Sequence, residues 1–145
     1  MFEAIARGEI KALWGMGTNP AVSLPDADAA RAALKKLELF VVSENVRSND
    51  TVKAGAHVLL PAQAWGEKSG TVTNSERRIS RQRAFLKPAG EAKADWWIVS
   101  EVAKRLGFGA AFDFSSAADV FREHAALSAF ENAGGRDFDI GALKS

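Results

Sequence analysis

Residues 39–43 read LFVVS, a short unbroken run of mostly apolar side chains that includes two valines. A run of this length and composition is typical of a β-strand that is buried on both faces of a sheet. Two similar runs flank it, KALWGM at residues 11–16 and HVLL at residues 57–60. Strands at this spacing, with helical patterns between them, predict an α/β domain whose parallel strands are joined by right-handed crossovers.

Helical patterns fill the segments around these strands. Apolar residues recur at helical spacing after Pro25-Asp26, namely Ala29, Ala33, Leu34 and Leu37. Residues 48–55 predict a short helix with Ser48 or Asp50 as its N-cap and Gly55 at its end. Residues 95–106 predict another helix that ends at Gly107.

A last helix is predicted to follow Ser115 or Ser116, either of which can cap it. Its apolar face is expected to carry Ala117, Val120, Phe121, His124, Leu127 and Phe130. We therefore interpret His124 as a core histidine whose hydrogen bonds are satisfied.

Residues 65–82 interrupt the alternation of strands and helices. Turn residues, β-formers and basic side chains alternate there, which predicts a long loop with an irregular strand around residues 70–74. Residues 87–93 are expected to be a connector. We expect one folded domain over residues 1–133, followed by a polar tail at residues 134–145 that frays.

Composition excludes several classes of function. The chain has no cysteine and two histidines, so disulfides, thiolate chemistry and thiolate-bound zinc or iron–sulfur clusters are excluded within it, and we predict no metal site. A net charge of +1 gives no electrostatic case for nucleic acid. No apolar run approaches the roughly 20 residues that span a bilayer, and no secretory core is visible. We expect a soluble, cytoplasmic chain that binds neither membrane nor nucleic acid.

Polar residues follow the predicted strands where a ligand would bind. In an open parallel sheet, ligands lie beyond the carboxyl ends of the strands. Gly17, Thr18 and Asn19 follow the first strand, and Ser43 and Glu44 end the second. A glycine permits close backbone approach, and a carboxylate at this place can accept from a ribose hydroxyl or a base N–H. The alternative is a simple turn at residues 17–20 and a solvated glutamate at position 44.

Common catalytic and phosphate-binding motifs are absent. The chain contains neither GxGxxG nor GxxxxGK[ST], and it has no GxSxG nucleophile elbow. His57 opens a strand, where a structural role is expected. We therefore predict no catalytic residue within the chain.

The loop at residues 65–83 carries the donors that a phosphate or a polar heterocycle needs. Lys68, Asn74, Glu76 and the pair Arg77-Arg78 lie within it. The alternative interpretation is a solvated loop whose side chains form salt bridges.

The string LLPAQAWGEKSGTVTNSERRISRQR, residues 59–83, closely resembles the LPxxxWxExxGTxxNxERR signature of molybdopterin oxidoreductases of the dimethyl sulfoxide reductase family. Two earlier strings, MGTNPAVSLPD and LELFVVSENVRSNDT, resemble the strand-end motifs of the third domain in that family. The resemblance continues through GEAKADWWIVSEVAKRLGF. Two portions, ERRISRQRAFL and SAADVFREHAALSAFE, most resemble bacterial assimilatory nitrate reductases, with formate dehydrogenases and periplasmic nitrate reductases next.

This resemblance implies a three-layer αβα, Rossmann-like domain with a mainly parallel sheet. It also implies a large enzyme that holds two molybdopterin guanine dinucleotides around molybdenum, with an iron–sulfur cluster in another segment. The domain would bind one of the dinucleotides through Asn19, Ser43, Glu44, Lys68 and Asp95. Further candidates for cofactor contacts are Gly17, Thr18, Asn74 and Arg77.

The resemblance implies that these residues are an internal segment of a nitrate reductase and are inactive alone. The partners would be the remaining domains of the enzyme and an electron-donor protein or reductase subunit. Two alternatives stay open: a domain of a formate dehydrogenase of the same family, and a stand-alone α/β binding or interaction module that has lost the cofactor.

Overall fold

The computed structural model describes all residues from Met1 to Ser145, and the chain divides into two compact units. The first, which we call the sheet unit, comprises Met1–Ala64 and Pro88–Asp95. The second, which we call the hairpin unit, comprises Trp65–Lys87 and Trp96–Ser145. A domain boundary at residue 133 stays a prediction.

Three parallel strands form the centre of the sheet unit. They are β1 (Ala12–Met16), β2 (Leu39–Glu44) and β3 (Val58–Pro61), in the order β1-β2-β3. Met16 of β1 lies opposite Ser43 of β2, and Ser43 lies opposite Leu60 of β3. The predicted α/β class with a parallel sheet is confirmed, and all three predicted strands are present.

Four helices belong to the sheet unit: α1 (Phe2–Ala6), α2 (Pro20–Ser23), α3 (Ala27–Leu34) and α4 (Asp50–Lys53). The core joins β2 to helices α1 and α3 and to the end of α4. Its buried side chains are Ile5, Ala33, Leu34, Leu37, Phe40, Val42 and Ala54. Because Phe40 and Val42 alternate with Val41 and Ser43 along β2, the core occupies one face of the sheet.

The N-cap of α4 differs from the prediction. Asn49, rather than Ser48 or Asp50, caps this helix, and its Oδ1 accepts a hydrogen bond from the N–H of Val52 at 2.9 Å. The backbone of Asn49 is extended, with φ −142° and ψ 179°, which is the conformation of an N-cap residue. Gly55 follows the helix at φ +121°, as a helix stop requires.

An antiparallel hairpin replaces most of the predicted long loop. Strand β4 (Gly70–Thr73) pairs with β5 (Ile79–Gln82), so that Thr71 lies opposite Arg81. The irregular strand near residue 70 is confirmed, but the loop prediction for residues 79–82 is wrong. The sequence ISRQ has a single apolar residue, and the strand forms because β4 supplies its backbone hydrogen bonds.

Two longer helices complete the chain. Helix α5 (Asp95–Ala103) continues into a wider turn at Lys104–Phe108, where Gly107 has φ +93°. Helix α6 (Ala117–Ala129) is capped by Ser116, one of the two predicted caps. Neither these helices nor the shorter ones have both the length and the apolar character needed to cross a membrane.

The buried face of α6 differs from the predicted one. Ala125 and Ser128 are its buried residues, whereas His124 and Leu127 are exposed. The interpretation of His124 as a core histidine is therefore wrong. The helix presents its small residues to the tail, and the N–H of Ile140 donates to Oγ of Ser128 at 2.9 Å. Periodicity locates an apolar stripe, but it does not show which neighbour covers it.

Candidate functional site

The predicted ligand-binding residues of the sheet unit meet at one edge. Because the three strands are parallel, the loop after β1, the end of β2 and the end of β3 all lie at the carboxyl edge of the sheet. Gly17, Thr18 and Asn19 occupy the first position, and Ser43 and Glu44 occupy the second. The sequence prediction that these five residues share an edge is confirmed.

Asp95 is brought to the same edge by a contact that the sequence does not reveal. Lys93 forms an isolated parallel bridge with Ala62, just beyond β3. The N–H of Lys93 donates to the carbonyl of Pro61 at 3.0 Å, and the N–H of Gln63 donates to the carbonyl of Lys93 at 2.9 Å. The segment predicted as a connector thus extends the sheet and leaves Asp95 two residues beyond it.

Asn19 is anchored to helix α4. Its Oδ1 accepts from the hydroxyl of Thr51 at 2.6 Å and from the N–H of Thr51 at 3.2 Å. The hydroxyl of Thr51 in turn accepts from the N–H of Ala21 at 3.2 Å. Thr51 is fully buried, so these bonds hold the loop after β1 against the start of α4.

Glu44 is held by neighbours on both carboxylate oxygens. Its Oε1 accepts from the N–H of Asn45 at 2.8 Å, and its Oε2 accepts from Nδ2 of Asn49 at 3.0 Å. Each carboxylate oxygen can accept a second hydrogen bond, so Glu44 retains acceptor capacity for a ligand. The side chain is half-buried, which leaves it accessible at the edge.

Ser43 is the least accessible of the predicted residues. It is 1% exposed, and its Oγ accepts from Nε1 of Trp14 at 2.8 Å. In this conformation the hydroxyl is committed to a bond between β1 and β2. A cofactor contact by Ser43 stays a prediction.

Gly17 and Thr18 form the exposed rim of the first loop. Gly17 has φ +58°, a left-handed conformation that favours glycine, and its N–H donates to the carbonyl of Ser43 at 3.2 Å. No atom lies within 4 Å of the position that a Cβ would take there. The backbone of this loop is therefore open to a close approach by a ligand.

The other three predicted contacts belong to the hairpin unit. Lys68 follows a short 3-10 turn at Trp65–Glu67. Asn74 closes the hairpin, since its Oδ1 accepts from the N–H of Arg78 at 2.9 Å. Arg77 occupies the turn with φ +63°, which is uncommon for a residue other than glycine. Asn74 thus has a structural function, and cofactor contacts by these three residues stay predictions.

Sequence reasoning missed Asn49 and Thr51, which hold Glu44 and Asn19. The string ENVRSNDT places both within the segment after β2. Helix-capping preference could have identified Asn49. No local pattern could have identified Thr51, because its partner Asn19 lies 32 positions away.

The charged side chains at this edge form no metal centre. No group of three or more His, Cys, Asp or Glu side chains in the chain is arranged to hold a metal ion. The edge instead combines a carboxylate, an amide and an exposed glycine loop. This is a set of groups suited to a polar organic ligand with both donors and acceptors.

Several curated proteins are similar to this chain. It is 62% identical over 143 residues to a nitrate reductase of Klebsiella oxytoca, covering 99% of the chain and 16% of that protein. It is 43% identical to the assimilatory nitrate reductase catalytic subunit of Bacillus subtilis, over 85% of the chain and 17% of that protein. It is 44% identical to a formate dehydrogenase alpha subunit of Methanocaldococcus jannaschii, over 79% of the chain and 17% of that protein. The chain thus spans less than a fifth of each relative.

A solved structure has the same fold. The acetylene hydratase of Pelobacter acetylenicus superposes with a TM-score of 0.69, covering 99% of this chain and 19% of that one. At 20% identity, this similarity concerns the fold alone.

Residues 1–105 match the molybdopterin oxidoreductase family. This matched segment includes the whole parallel sheet and its carboxyl edge. The family resemblance inferred from the three sequence motifs is therefore confirmed, and the chain belongs to the molybdopterin oxidoreductase family.

Proposed function

We propose that this chain is the domain of a molybdenum-dependent nitrate reductase that holds one guanine dinucleotide of a bis-molybdopterin cofactor. The observation that carries the proposal is the carboxyl edge, where Asn19 and Glu44 lie beside the open loop at Gly17. The 62% identity to a nitrate reductase supports this choice of enzyme.

The residues at the edge fit a guanine nucleotide in chemical type. Glu44 has acceptor capacity that suits the N–H groups of guanine or the hydroxyls of ribose. Asp95, delivered to the same edge by the Lys93 bridge, adds a second carboxylate. The loop at Gly17 offers backbone without a side chain, which suits the close approach of a pyrophosphate. We assign Lys68, Asn74 and Arg77 to the same cofactor on the family motif.

When bound, the cofactor supplies the molybdenum redox chemistry that reduces nitrate to nitrite; this chain supplies binding and orientation. An iron–sulfur cluster would need cysteines from another segment, because this chain has none. The partners in this proposal are the remaining domains of the enzyme and an electron-donor protein or reductase subunit. A role in nitrate assimilation rests on the Bacillus subtilis relative, and a cytoplasmic location stays a prediction.

The alternative within the family is a domain of a formate dehydrogenase. The identity to the formate dehydrogenase subunit is 44%, which is lower than the 62% identity to the nitrate reductase. We therefore favour the nitrate reductase over the formate dehydrogenase. Both alternatives place the nucleotide at the same carboxyl edge of the sheet. Assays of the complete enzyme with nitrate and with formate separate them.

A nucleotide titration tests the binding function directly. The chain is titrated with GMP, and with CMP as a matched control, while backbone amide shifts are recorded by NMR. We expect GMP to move the amides of residues 17–19, 44–45 and 95, and CMP to move them less. Weak affinity is expected, because a single domain encloses only part of the cofactor. GMP shifts confined to other residues, or none at saturating GMP, would count against the assignment and favour a stand-alone module.

The flanking coding sequence separates the enzyme from the stand-alone module. A reading frame that continues upstream to a cysteine cluster supports the nitrate reductase domain. Start and stop codons that bracket these 145 codons would contradict it.

A further inference from the structure

We propose that Asn19 acts on the dinucleotide only as a hydrogen-bond donor, and that Thr51 is the positioning residue that imposes this role. The inference rests on the proposed function, which places a guanine nucleotide at the carboxyl edge. It adds which partner donates the hydrogen bond at Asn19, and it names the residue that determines this direction.

The orientation of the Asn19 amide follows from its partner. A backbone N–H can only donate a hydrogen bond, so the Asn19 atom that faces the N–H of Thr51 at 3.2 Å has to be the oxygen. The amide nitrogen therefore points away from the Thr51 backbone.

The amide oxygen of Asn19 has no remaining acceptor capacity. An amide carbonyl has two lone pairs, and Thr51 occupies both, through its N–H and through its hydroxyl at 2.6 Å. The amide nitrogen forms no hydrogen bond within the protein. What Asn19 offers a ligand is thus an N–H donor, which suits an acceptor oxygen on the ligand.

Thr51 is itself held in one orientation. Its hydroxyl oxygen accepts from the N–H of Ala21 at 3.2 Å, so its hydroxyl proton is available to Asn19. The residue is fully buried in the first turn of α4. Because a β-branched side chain has restricted χ1 freedom, Thr51 fixes the Asn19 amide before any ligand arrives.

Asn19 and Glu44 then form a complementary pair at the edge. Asn19 donates to an oxygen, whereas Glu44 accepts from N–H or O–H groups. A guanine nucleotide has both kinds of group, with phosphate oxygens and the base carbonyl as acceptors and the base N–H groups as donors. The shared chemistry for Asn19 is an acceptor oxygen, whether it belongs to phosphate or to guanine.

The variant Asn19→Asp tests the donor role with little change in shape. Its carboxylate can still accept both bonds from Thr51, but it cannot donate. We expect its folded spectrum and melting temperature to remain close to wild type, and its affinity for GDP to fall by about tenfold to a hundredfold. Val22→Asp, an exposed position on α2, controls for the added charge, and we expect it to change the affinity less than about threefold.

The uncharged nucleoside guanosine separates the two sources of the acceptor oxygen. If Asn19 donates to phosphate, Asn19→Asp weakens the binding of GDP but not the binding of guanosine. If Asn19 donates to the base carbonyl, the variant weakens the binding of both ligands. Either pattern supports the donor role. Equal affinities of Asn19→Asp and wild type for both ligands would overturn it.

Thr51 variants test positioning separately. Thr51→Ser keeps the hydroxyl, so we expect its affinity for GDP to be close to that of wild type. Thr51→Val removes the hydroxyl and should weaken GDP binding. If Thr51→Val does not fold, Asn19→Asp still tests the donor role, and a loss of GDP affinity in Thr51→Ser, which keeps the hydroxyl, would contradict the positioning role. A wild-type chain that does not bind GDP overturns the proposed function together with this inference. Wild-type binding that Asn19→Asp leaves unchanged overturns the inference alone.

Discussion

Nε1 of Trp14 donates a hydrogen bond of 2.8 Å to Oγ of Ser43, and this bond joins β1 to β2 beside the carboxyl edge of the sheet. Ser43 is 1% exposed, so water cannot replace the indole as the hydrogen-bond partner of its hydroxyl. The bond joins a half-buried indole N–H to a buried hydroxyl. It aligns the ends of two strands, of which β1 leads into the loop with Asn19 and β2 ends at Glu44.

Replacing Ser43 by alanine should therefore destabilise the chain. The half-buried indole N–H loses its acceptor, and we expect the free energy of unfolding to fall by about 1–3 kcal/mol. Urea denaturation of wild type, Ser43→Ala, Trp14→Phe and the double variant measures the coupling between the two residues. Strictly additive effects of the two single variants would show that the bond contributes nothing to stability.

Asn49 should contribute in two separable ways, as the cap of α4 and as a donor to Glu44. Asn49→Ala removes both contacts, and loss of the cap should lower the free energy of unfolding by about 0.5–2 kcal/mol. Asn49→Ser keeps a cap but cannot reach as far, so it should recover most of the stability. We expect both variants to weaken GMP binding, because Glu44 loses its Nδ2 partner. The two-role assignment fails if Asn49→Ser binds GMP like wild type.

Asp119 should make the stability of α6 depend on pH in the acid range. Hydrogen bonds from the hydroxyls of Ser115 and Ser116 to Oδ2 lower the pKa of Asp119 from 3.8 to about 2. A carboxyl whose pKa is lower in the folded state stabilises the fold above its unfolded pKa, and it loses this contribution as the pH falls through the folded pKa. Stability should thus decline between about pH 4 and pH 2.

The matched variant is Asp119→Asn, because other carboxyl groups titrate in the same range. The difference in unfolding free energy between wild type and Asp119→Asn should be constant near neutral pH and shrink between about pH 4 and pH 2. A difference that does not vary with pH in that window contradicts the assignment. Carboxyl carbon shifts of Asp119 give the folded pKa directly.

Gly141 should be intolerant of a side chain because the tail packs closely on α6. A Cβ at this position would lie 2.5 Å from Cβ of Ala129 and 3.0 Å from Oδ1 of Asp139. We expect Gly141→Ala to destabilise the contact by about 1–3 kcal/mol and to speed amide exchange in residues 136–145. Gly135→Ala is the control, since no atom lies within 4 Å of its Cβ position. Equal exchange rates in the two variants would rule out close packing of the tail.

Local patterns were enough to predict the three parallel strands, some of the helix boundaries and the family. The apolar run LFVVS was enough to identify β2, although its core side chains Phe40 and Val42 lie on one face of the sheet and Leu39 is exposed. Gly55 was predicted as a helix stop, and Ser116 as one of two possible caps, because capping acts within a few residues. The same logic placed Gly17, Asn19 and Glu44 at one edge, because strand direction alone brings carboxyl ends together.

Other features were decided by contacts between distant segments. Strand β5 and the Ala62–Lys93 bridge form because a neighbouring backbone supplies hydrogen bonds that their own sequences do not specify. The exposure of His124 depends on what covers α6.

The sequence by itself determined that the residues after β1 and at the end of β2 reach the carboxyl edge of the sheet, since hydrophobic runs and turns are encoded locally. Asp95 reaches this edge only through the bridge between Ala62 and Lys93. The tertiary structure alone decided how those residues are oriented there. Asn19 meets Thr51 across 32 positions of chain, and only the docking of α4 against the loop after β1 directs the amide oxygen inward and leaves its N–H groups for a ligand.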